Sequence, residues 1–339
     1  MADKTYYVEA PANIALLKYW GKRNVSKQWP ANNSLSMTLS GWKTCCEISL
    51  IDGGNEHQFY FDDKILKPSE PFAKKAYAQM SLVLNRLNVD KKFKIKSKNT
   101  FPTGCGVASS ASSMAALTIG ILLAALELDH MEDLSQAGWG SEKISDLARL
   151  GSGSACRSLL GGFVLWEAGD HEDKQKIRQL FDETWWPLED TLVIFSDRPK
   201  AVSSSQAHKD AWSSPFFAPR LAGCPERQSL MIKGIEQKDF SLLGPLLESE
   251  ALEMHAVMMT ASPATCYLSK ESMNFLAAFR RFRQESGARL WFTIDAGPNI
   301  HILGEPKDQE LLIPFLESLD SDIRWMKDCV GSGPRVRTY

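Results

Sequence analysis

Apolar positions along this chain follow two periods, and the switches between them mark out its elements. Residues 44–51, 93–97 and 162–166 have strand character: short runs of β-branched, aromatic and aliphatic side chains set between turn residues. Residues 72–87, 110–126 and 141–150 follow the helical period, the last opened by Ser141 and closed by Gly151. Further on, the spacing predicts a buried-type strand at 191–196 and helices at 220–236, 242–259 and 270–285. Pro245 lies near the start of the second of these helices, and Ser286 with Gly287 stops the third. Two strands follow, at 289–294 and 300–303. Helices and strands cluster without strict βαβ alternation, which predicts an α+β fold rather than a doubly wound sheet. Between Asp182 and Asp190 the chain turns acidic and aromatic, with Trp185, Trp186 and Pro187, and a division into residues 1–187 and 188–339 is expected there. No internal repeat or low-complexity tract interrupts this pattern.

Bulk composition narrows the field only a little. The 339 residues carry 39 Lys and Arg against 41 Asp and Glu, a net charge of -2 that excludes a nucleic-acid protein acting through bulk basicity. The longest apolar run, residues 114–126, is too short to span a bilayer, and residues 1–13 carry Asp3, Lys4 and Glu9 without a signal-peptide core, so neither membrane nor nucleic acid is expected as a partner. Seven cysteines without metal-site spacing predict a reduced, cytoplasmic setting.

Where charges are missing says more. Between Glu9 and Glu47 there is no acid, yet Lys18, Lys22, Arg23, Lys27 and Lys43 are all present. Such a stretch suits an anionic ligand; the plainer reading, a solvated basic loop, is favoured for Lys27 and Lys43. Between Lys98 and Glu127 there is no charge at all, and Pro102-Thr-Gly-Cys-Gly-Val-Ala-Ser-Ser-Ala-Ser112 runs into the apolar helix. Glycines that admit close approach, hydroxyl donors and a helix N-terminus make a phosphate loop one reading. An N-capped core helix after a flexible loop is the other. Neither a Walker A sequence nor a strand followed by GxGxxG is present.

Two charges stand alone. Arg157 is the single charge between Arg149 and Glu167, in Gly151-Ser-Gly-Ser-Ala-Cys-Arg157. Asp295 is the single formal charge between Arg289 and Glu305, in Phe292-Thr-Ile-Asp295-Ala-Gly-Pro-Asn299. A solitary ion among apolar residues is costly to bury unless it is paired or working; each is either half of a structural salt bridge or part of a site. The six histidines show no metal-ligand spacing, and Cys105 and Cys156 have no nearby His to activate them.

Taken together, Ala10-Pro-Ala-Asn-Ile-Ala-Leu-Leu-Lys18-Tyr19-Trp20-Gly21-Lys22-Arg23, the loop 102–112, Gly151 to Arg157 and Phe292 to Asn299 resemble the mevalonate diphosphate decarboxylase family. That family lies within the galactokinase, homoserine kinase, mevalonate kinase and phosphomevalonate kinase (GHMP) superfamily. The resemblance runs from Ala10 to Gly331-Ser-Gly-Pro334. It implies a two-domain GHMP architecture, an N-terminal domain of ribosomal-protein-S5 type and a C-terminal α+β domain with the active site in the cleft between them. It also implies ATP-dependent decarboxylation of 5-diphosphomevalonate to isopentenyl diphosphate, ADP, phosphate and carbon dioxide, with ATP and Mg²⁺ as cofactors, small-molecule substrates and a homodimer. Asp295, Lys18 and Arg157 are the implied catalytic residues: Asp295 acts on the 3-hydroxyl, Lys18 keeps it ionised and Arg157 holds the C1 carboxylate. Tyr19, Lys22, Ser152, Ser154, Ser204 and Ser205 are the implied substrate contacts. Pro102, Gly104, Gly106, Val107, Ala108, Ser109, Ser110 and Ser112 are assigned to ATP, with Ser109 also meeting Mg²⁺.

The chain departs from the family pattern near His208, where members often carry Met, and near Ser205, where bacterial members often carry Arg. For a basic residue that some members supply before the 72–87 helix this chain has no clear match, and Lys64 and Lys67 are only candidates. The alternatives are a phosphomevalonate decarboxylase, a mevalonate 3-kinase without decarboxylation, and a non-catalytic nucleotide-binding scaffold.

Overall fold

A computed structural model describes residues 4–53, 55–102, 109–198, 200–319 and 323–339. Its first strand, β1 (Thr5–Leu17), alternates buried and half-buried as far as Ala10 and is then buried at every position. That change records where the second half of the chain packs on the sheet, and it conceals a strand from any search for alternation. The elements that follow are β2 (Lys22–Asn24), β3 (Trp29–Pro30), β4 (Ser34–Leu50), β5 (Gln58–Phe61), β6 (Lys64–Leu66), α1 (Pro71–Leu87), β7 (Phe93–Asn99), α2 (Ser109–Leu126), α3 (Met131–Gln136) and α4 (Ser141–Gly151). After a 3₁₀ segment (Gly153–Leu159) come β8 (Phe163–Glu167), β9 (Lys176–Phe181), β10 (Glu189–Ile194), α5 (Ser204–Asp210), α6 (Phe217–Glu236), α7 (Phe240–Thr260), α8 (Lys270–Ser286), β11 (Trp291–Thr293), β12 (Ile300–Gly304), α9 (Pro306–Ser318), β13 (Arg324–Cys329) and β14 (Arg335–Thr338).

Two sheets organise the chain. The larger runs β14-β1-β4-β7-β5-β6, with β8 and β9 added beside β4; the smaller runs β11-β12-β10-β13. All pairings are antiparallel except β5 with β7. The expected α+β class is observed. β14 pairs with β1, so the chain ends in the first sheet, although the expected second unit runs to residue 339.

Helix α2 is the apolar centre of the first unit. It is long and apolar enough to cross a bilayer by composition, yet most of it is buried, packed with α1 and α4 against one face of the sheet. Helix α1 ends at Asn88, whose left-handed conformation (φ 55°) lets its N–H return to Asn85 and Leu84 carbonyls. Gly287 closes α8 in the same way, at φ 69°. Helix α7 begins at Phe240, two residues before the expected start, because the Asp239 carboxylate caps it by accepting from the Ser241 and Leu242 N–H groups. β1, β2, β3, β5, β6, β9, β13, β14, α3, α5 and α9 add to the expected set.

A second apolar cluster joins the units. Leu16, Leu17, Met37 and Trp42 of the first sheet meet Trp186, Leu192, Phe240 and Leu247. Where the chain crosses back, the backbones touch: Gly331 N–H donates to Thr38 O and Gly162 N–H to Gly331 O. A Cβ on Gly331 lies 2.4 Å from Ser40 Cα. Gly331→Val is therefore expected to destabilise the protein by about 1–3 kcal/mol, because the obstruction is backbone and cannot rotate away. The midpoint of denaturant unfolding measures this, and a wild-type midpoint shows that the crossing is not tight.

Candidate active site

The two units enclose a cleft of about 450 Å³. Lys18, Tyr19 and Trp20, in the stretch just after β1, line it. Lys18 is buried (1% exposed), and its ammonium donates to Ala15 O at 2.8 Å and to Asp295 Oδ1 at 2.6 Å. Asp295 comes from the other unit, two residues beyond β11, with a quarter of its side chain open to the cleft (26%). Burial pushes its carboxyl upward in pKa, but Lys18 beside it, with His301 and Arg157 further off, outweighs that and holds it below the ordinary aspartate value. It is ionised at neutral pH.

Arg157 projects from the 3₁₀ segment. It is 3% exposed and has no carboxylate partner among the described residues: Nη1 donates to Ser34 Oγ (2.7 Å), and Nε and Nη2 donate to Asn13 Oδ1 (3.3 and 3.2 Å). These contacts use one N–H on each nitrogen and leave one free on each terminal nitrogen. Desolvation draws its pKa down. The salt-bridge reading thus fails for Arg157, whereas Asp295 does have an ion partner, Lys18.

Tyr19 packs between Trp166 (4.7 Å between ring centroids) and His208 (4.4 Å). A Cβ on Gly153 falls 2.7 Å from its ring, so that turn needs glycine. Lys22 Nζ lies 6.0 Å from the Tyr19 ring centroid. Burial, reinforced by Lys209 and Lys75, pushes the Lys22 ammonium down to about 8. Ser152 and Ser154 line the same wall, Ser152 Oγ lying 3.2 Å from Ser110 Oγ. Ser109 and Ser110 present the first turn of α2 to the cleft, and Ser204 and Ser205 the first turn of α5, which Ser203 caps. Cys156 is a packing residue, its thiol pushed up to about 12 by burial and so protonated.

Some expectations need correction. Ser112 does not face the cleft. It is buried against β4, its hydroxyl 2.7 Å from Thr44 Oγ1, because it sits on the side of α2 turned to the sheet. Pro102 is exposed and outside the cleft lining. Gly104, Gly106, Val107 and Ala108, assigned to ATP, lie outside the described residues. Lys64 and Lys67 do not line the cleft; the basic residue that does is Lys75, on α1 itself. Lys200, Gln28 and Met254 also line it and carried no signal in the sequence.

His208 lines the cleft too. Gly21 N–H donates to its Nδ1 (3.0 Å), so its proton is on Nε2, and burial among Lys22, Arg220 and Arg157 holds its pKa far below the usual histidine value. Among the described lining residues Asp295 is the one carboxylate, facing Lys18, Lys22, Lys75, Arg157 and Lys200. No group of three or more His, Cys, Asp or Glu among the described residues could hold a metal on its own. The Ser109 and Ser110 hydroxyls are hard oxygen donors that suit Mg²⁺ brought in by a nucleotide's phosphates.

Fold and site define an α+β enzyme of the GHMP kinase class with a cleft built for a polyanion and one ionised carboxylate. Residues 10–177 match the diphosphomevalonate decarboxylase-like N-terminal domain, and residues 191–333 match the mevalonate 5-diphosphate decarboxylase C-terminal domain. The chain belongs to the diphosphomevalonate decarboxylase family.

Similar curated proteins include the diphosphomevalonate decarboxylases of Candida albicans and Danio rerio. The first is 32% identical, over 91% of this chain and 86% of that protein. The second is 33% identical, over 91% and 77%. A structure of MDDEF in complex with MVAPP, AMPPCP and magnesium superposes with a TM-score of 0.88 at 32% identity, covering 99% of both chains. Mevalonate diphosphate decarboxylase from Staphylococcus aureus superposes at 0.87 and 32%, covering 98% of both.

The Lys22 ammonium is present below about pH 8 and lost above it. For a diphosphate-bearing substrate, kcat/KM is expected to fall as pH rises through that range, and Lys22→Arg to carry the fall to higher pH. An unchanged profile in the arginine variant removes Lys22 from the diphosphate site.

Proposed function

We propose that this chain decarboxylates 5-diphosphomevalonate with ATP, and that Asp295, Lys18 and Arg157 carry the reaction. One observation bears most of the weight: an ionised carboxylate paired to a buried lysine shares a cleft with a buried guanidinium that, among the described residues, has no carboxylate of its own. An anionic substrate with a tertiary alcohol and a carboxylate supplies what both groups lack.

In this reading Asp295 takes the proton of the 3-hydroxyl as its oxygen attacks the γ-phosphorus of ATP, and ADP leaves. Lys18 keeps Asp295 ionised beforehand and holds its free oxygen in place. The phosphate then departs from C3, and the C1–C2 electron pair forms the C2–C3 double bond as carbon dioxide is lost. Arg157 holds the C1 carboxylate through its two remaining N–H groups, with Ser152 and Ser154 beside it. Tyr19 and Lys22 take the 5-diphosphate, with Ser204 and Ser205 on the rim. Lys75, Ser109 and Ser110 meet the nucleotide phosphates and the Mg²⁺ they carry; when bound, that ion offsets phosphate charge. On family resemblance alone the reading extends to a cytoplasmic homodimer.

Asp295→Asn is expected to fold and bind ATP, yet to lose roughly 10²–10⁴-fold in both ADP and carbon dioxide formation. Measuring both products with 5-diphosphomevalonate, the monophosphate and mevalonate tests substrate and role together. Normal ADP formation with only carbon dioxide lost assigns Asp295 to the second step. A ten-fold preference for the monophosphate, about 1.4 kcal/mol, replaces the diphosphate reading.

Arg157→Leu is expected to lower kcat by roughly 2–4 kcal/mol of transition-state stabilisation. Near-full activity in a folded variant would make Arg157 purely structural.

A further inference from the structure

Neither Lys18 nor Asp295 lies within a strand, so no ladder hydrogen bonds fix their main chains. Other groups must: Gly297 N–H donates to the Asp295 carbonyl at 2.7 Å within its own turn, and one long-range contact to each main chain comes from a single helix. The Lys18 N–H donates to Glu250 Oε1 on α7 at 2.9 Å. Glu250 is fully buried and gripped by the Arg220 and Arg227 guanidiniums. The Lys18 carbonyl accepts from Asn32 Nδ2 at 2.9 Å and from Arg220 Nη2 at 3.3 Å. Burying a carboxylate with two guanidiniums is expensive, and here it locks both polar groups of one peptide segment.

Further along α7, His255 Nε2 lies 3.1 Å from the Asp295 carbonyl oxygen. Burial pushes this imidazole down to about 4, so it is neutral at working pH. Facing a carbonyl oxygen, its Nε2 carries the proton and donates. The same helix thereby touches the backbone of both members of the pair, one from each unit.

We propose that His255 is a positioning residue for the reaction: it fixes the Asp295 main chain so that the carboxylate stays against Lys18, which Glu250 holds from the same helix. The proposal rests on the reading of Asp295 as the group that takes the hydroxyl proton. The ionisable groups facing Asp295 are Lys18 from the end of β1, Arg157 from the 3₁₀ segment, Lys200 from the loop after β10, His255 from α7 and His301 from β12. Of these, Lys18 makes the direct ion pair, and its grip depends on where the Asp295 backbone sits.

The test compares His255→Leu with His255→Gln in the full-length enzyme, following ADP formation against pH. A glutamine amide can place its nitrogen where Nε2 was; leucine cannot. In His255→Leu, kcat is expected to fall roughly ten- to a hundred-fold with KM for ATP unchanged. The acid limb of the profile is expected to rise by about one pH unit as the Lys18 contact loosens. His255→Gln is expected to restore both. Wild-type kcat and acid limb in a folded His255→Leu overturn the proposal, as does a fall in kcat with the limb unmoved and no rescue by glutamine. If the leucine variant does not fold, His255→Asn, whose amide is too short to reach the Asp295 carbonyl, carries the same comparison. Failure of the underlying reading is separate: it appears as ADP formation surviving in Asp295→Asn, whatever the His255 variants do.

Discussion

The contact between Lys18 Nζ and Asp295 Oδ1, 2.6 Å across a sequence separation of 277 residues, is the constraint around which this structure is arranged. One partner sits at the end of a strand in the first sheet, the other at the end of a strand in the second. The pair therefore forms only when the two sheets are docked in one register. The apolar cluster that joins Leu16, Leu17 and Trp42 to Trp186, Phe240 and Leu247 contributes to that docking through buried, non-directional contacts. Direction comes from the polar anchors, above all the buried Glu250 with its two arginines. An apolar core alone would hold the units together without fixing an ammonium within hydrogen-bonding distance of a carboxylate.

Electrostatically, the cleft is unfinished. Lys22, Arg157 and Lys200 all have pKa values drawn down, in each case first by desolvation. Each is a cation held where its charge is not matched, and such sites trade stability for readiness to bind. The contrast with Arg220 and Arg227 is instructive. Those guanidiniums lie in the same region, yet each is closed on Glu250 and neither lines the cleft. Structural arginines are recognisable by their partners, and binding ones by the lack of them.

Much of this was legible in the amino-acid sequence, for a physical reason. A lone charge in an uncharged run has to be paired from far away or used, and Arg157 and Asp295 stand out on that ground alone. Lys18 emerges from the acid-free stretch in the same way. Lys75 and Lys200 stayed hidden because they lie where charges are common, so neither is locally unusual. Composition also could not separate Ser109 and Ser110 from Ser112: all belong to one serine run, and only the packing of α2 on Thr44 turns Ser112 inward. Strand β1 escaped a search for alternation because both of its faces are covered beyond Ala10. β13 and β14 escaped for the opposite reason: their charged, part-exposed residues read as loop.

His208 shows how the cleft limits its own repulsion. An imidazolium there would add another positive charge beside Lys22, Arg157 and Arg220. Instead the ring is sandwiched between Tyr19 and Trp20, and Nδ1 is committed as an acceptor to Gly21 N–H. Both conditions favour the neutral form, the first by desolvation and the second by requiring a lone pair on Nδ1. What remains is a fixed N–H on Nε2, a donor without a charge. Lys22 follows the same logic from the other side: with its pKa near 8 it is an ammonium at neutral pH but gives up its proton more readily than a free lysine, and an arriving diphosphate raises that pKa again. Above about pH 8 the cleft is therefore less positive than a count of its basic residues suggests, and an anion bound there favours the protonated form of Lys22. Coupling of this kind favours a polyanion over a singly charged ligand, because each added phosphate charge both gains an attraction and stabilises the cation that provides it.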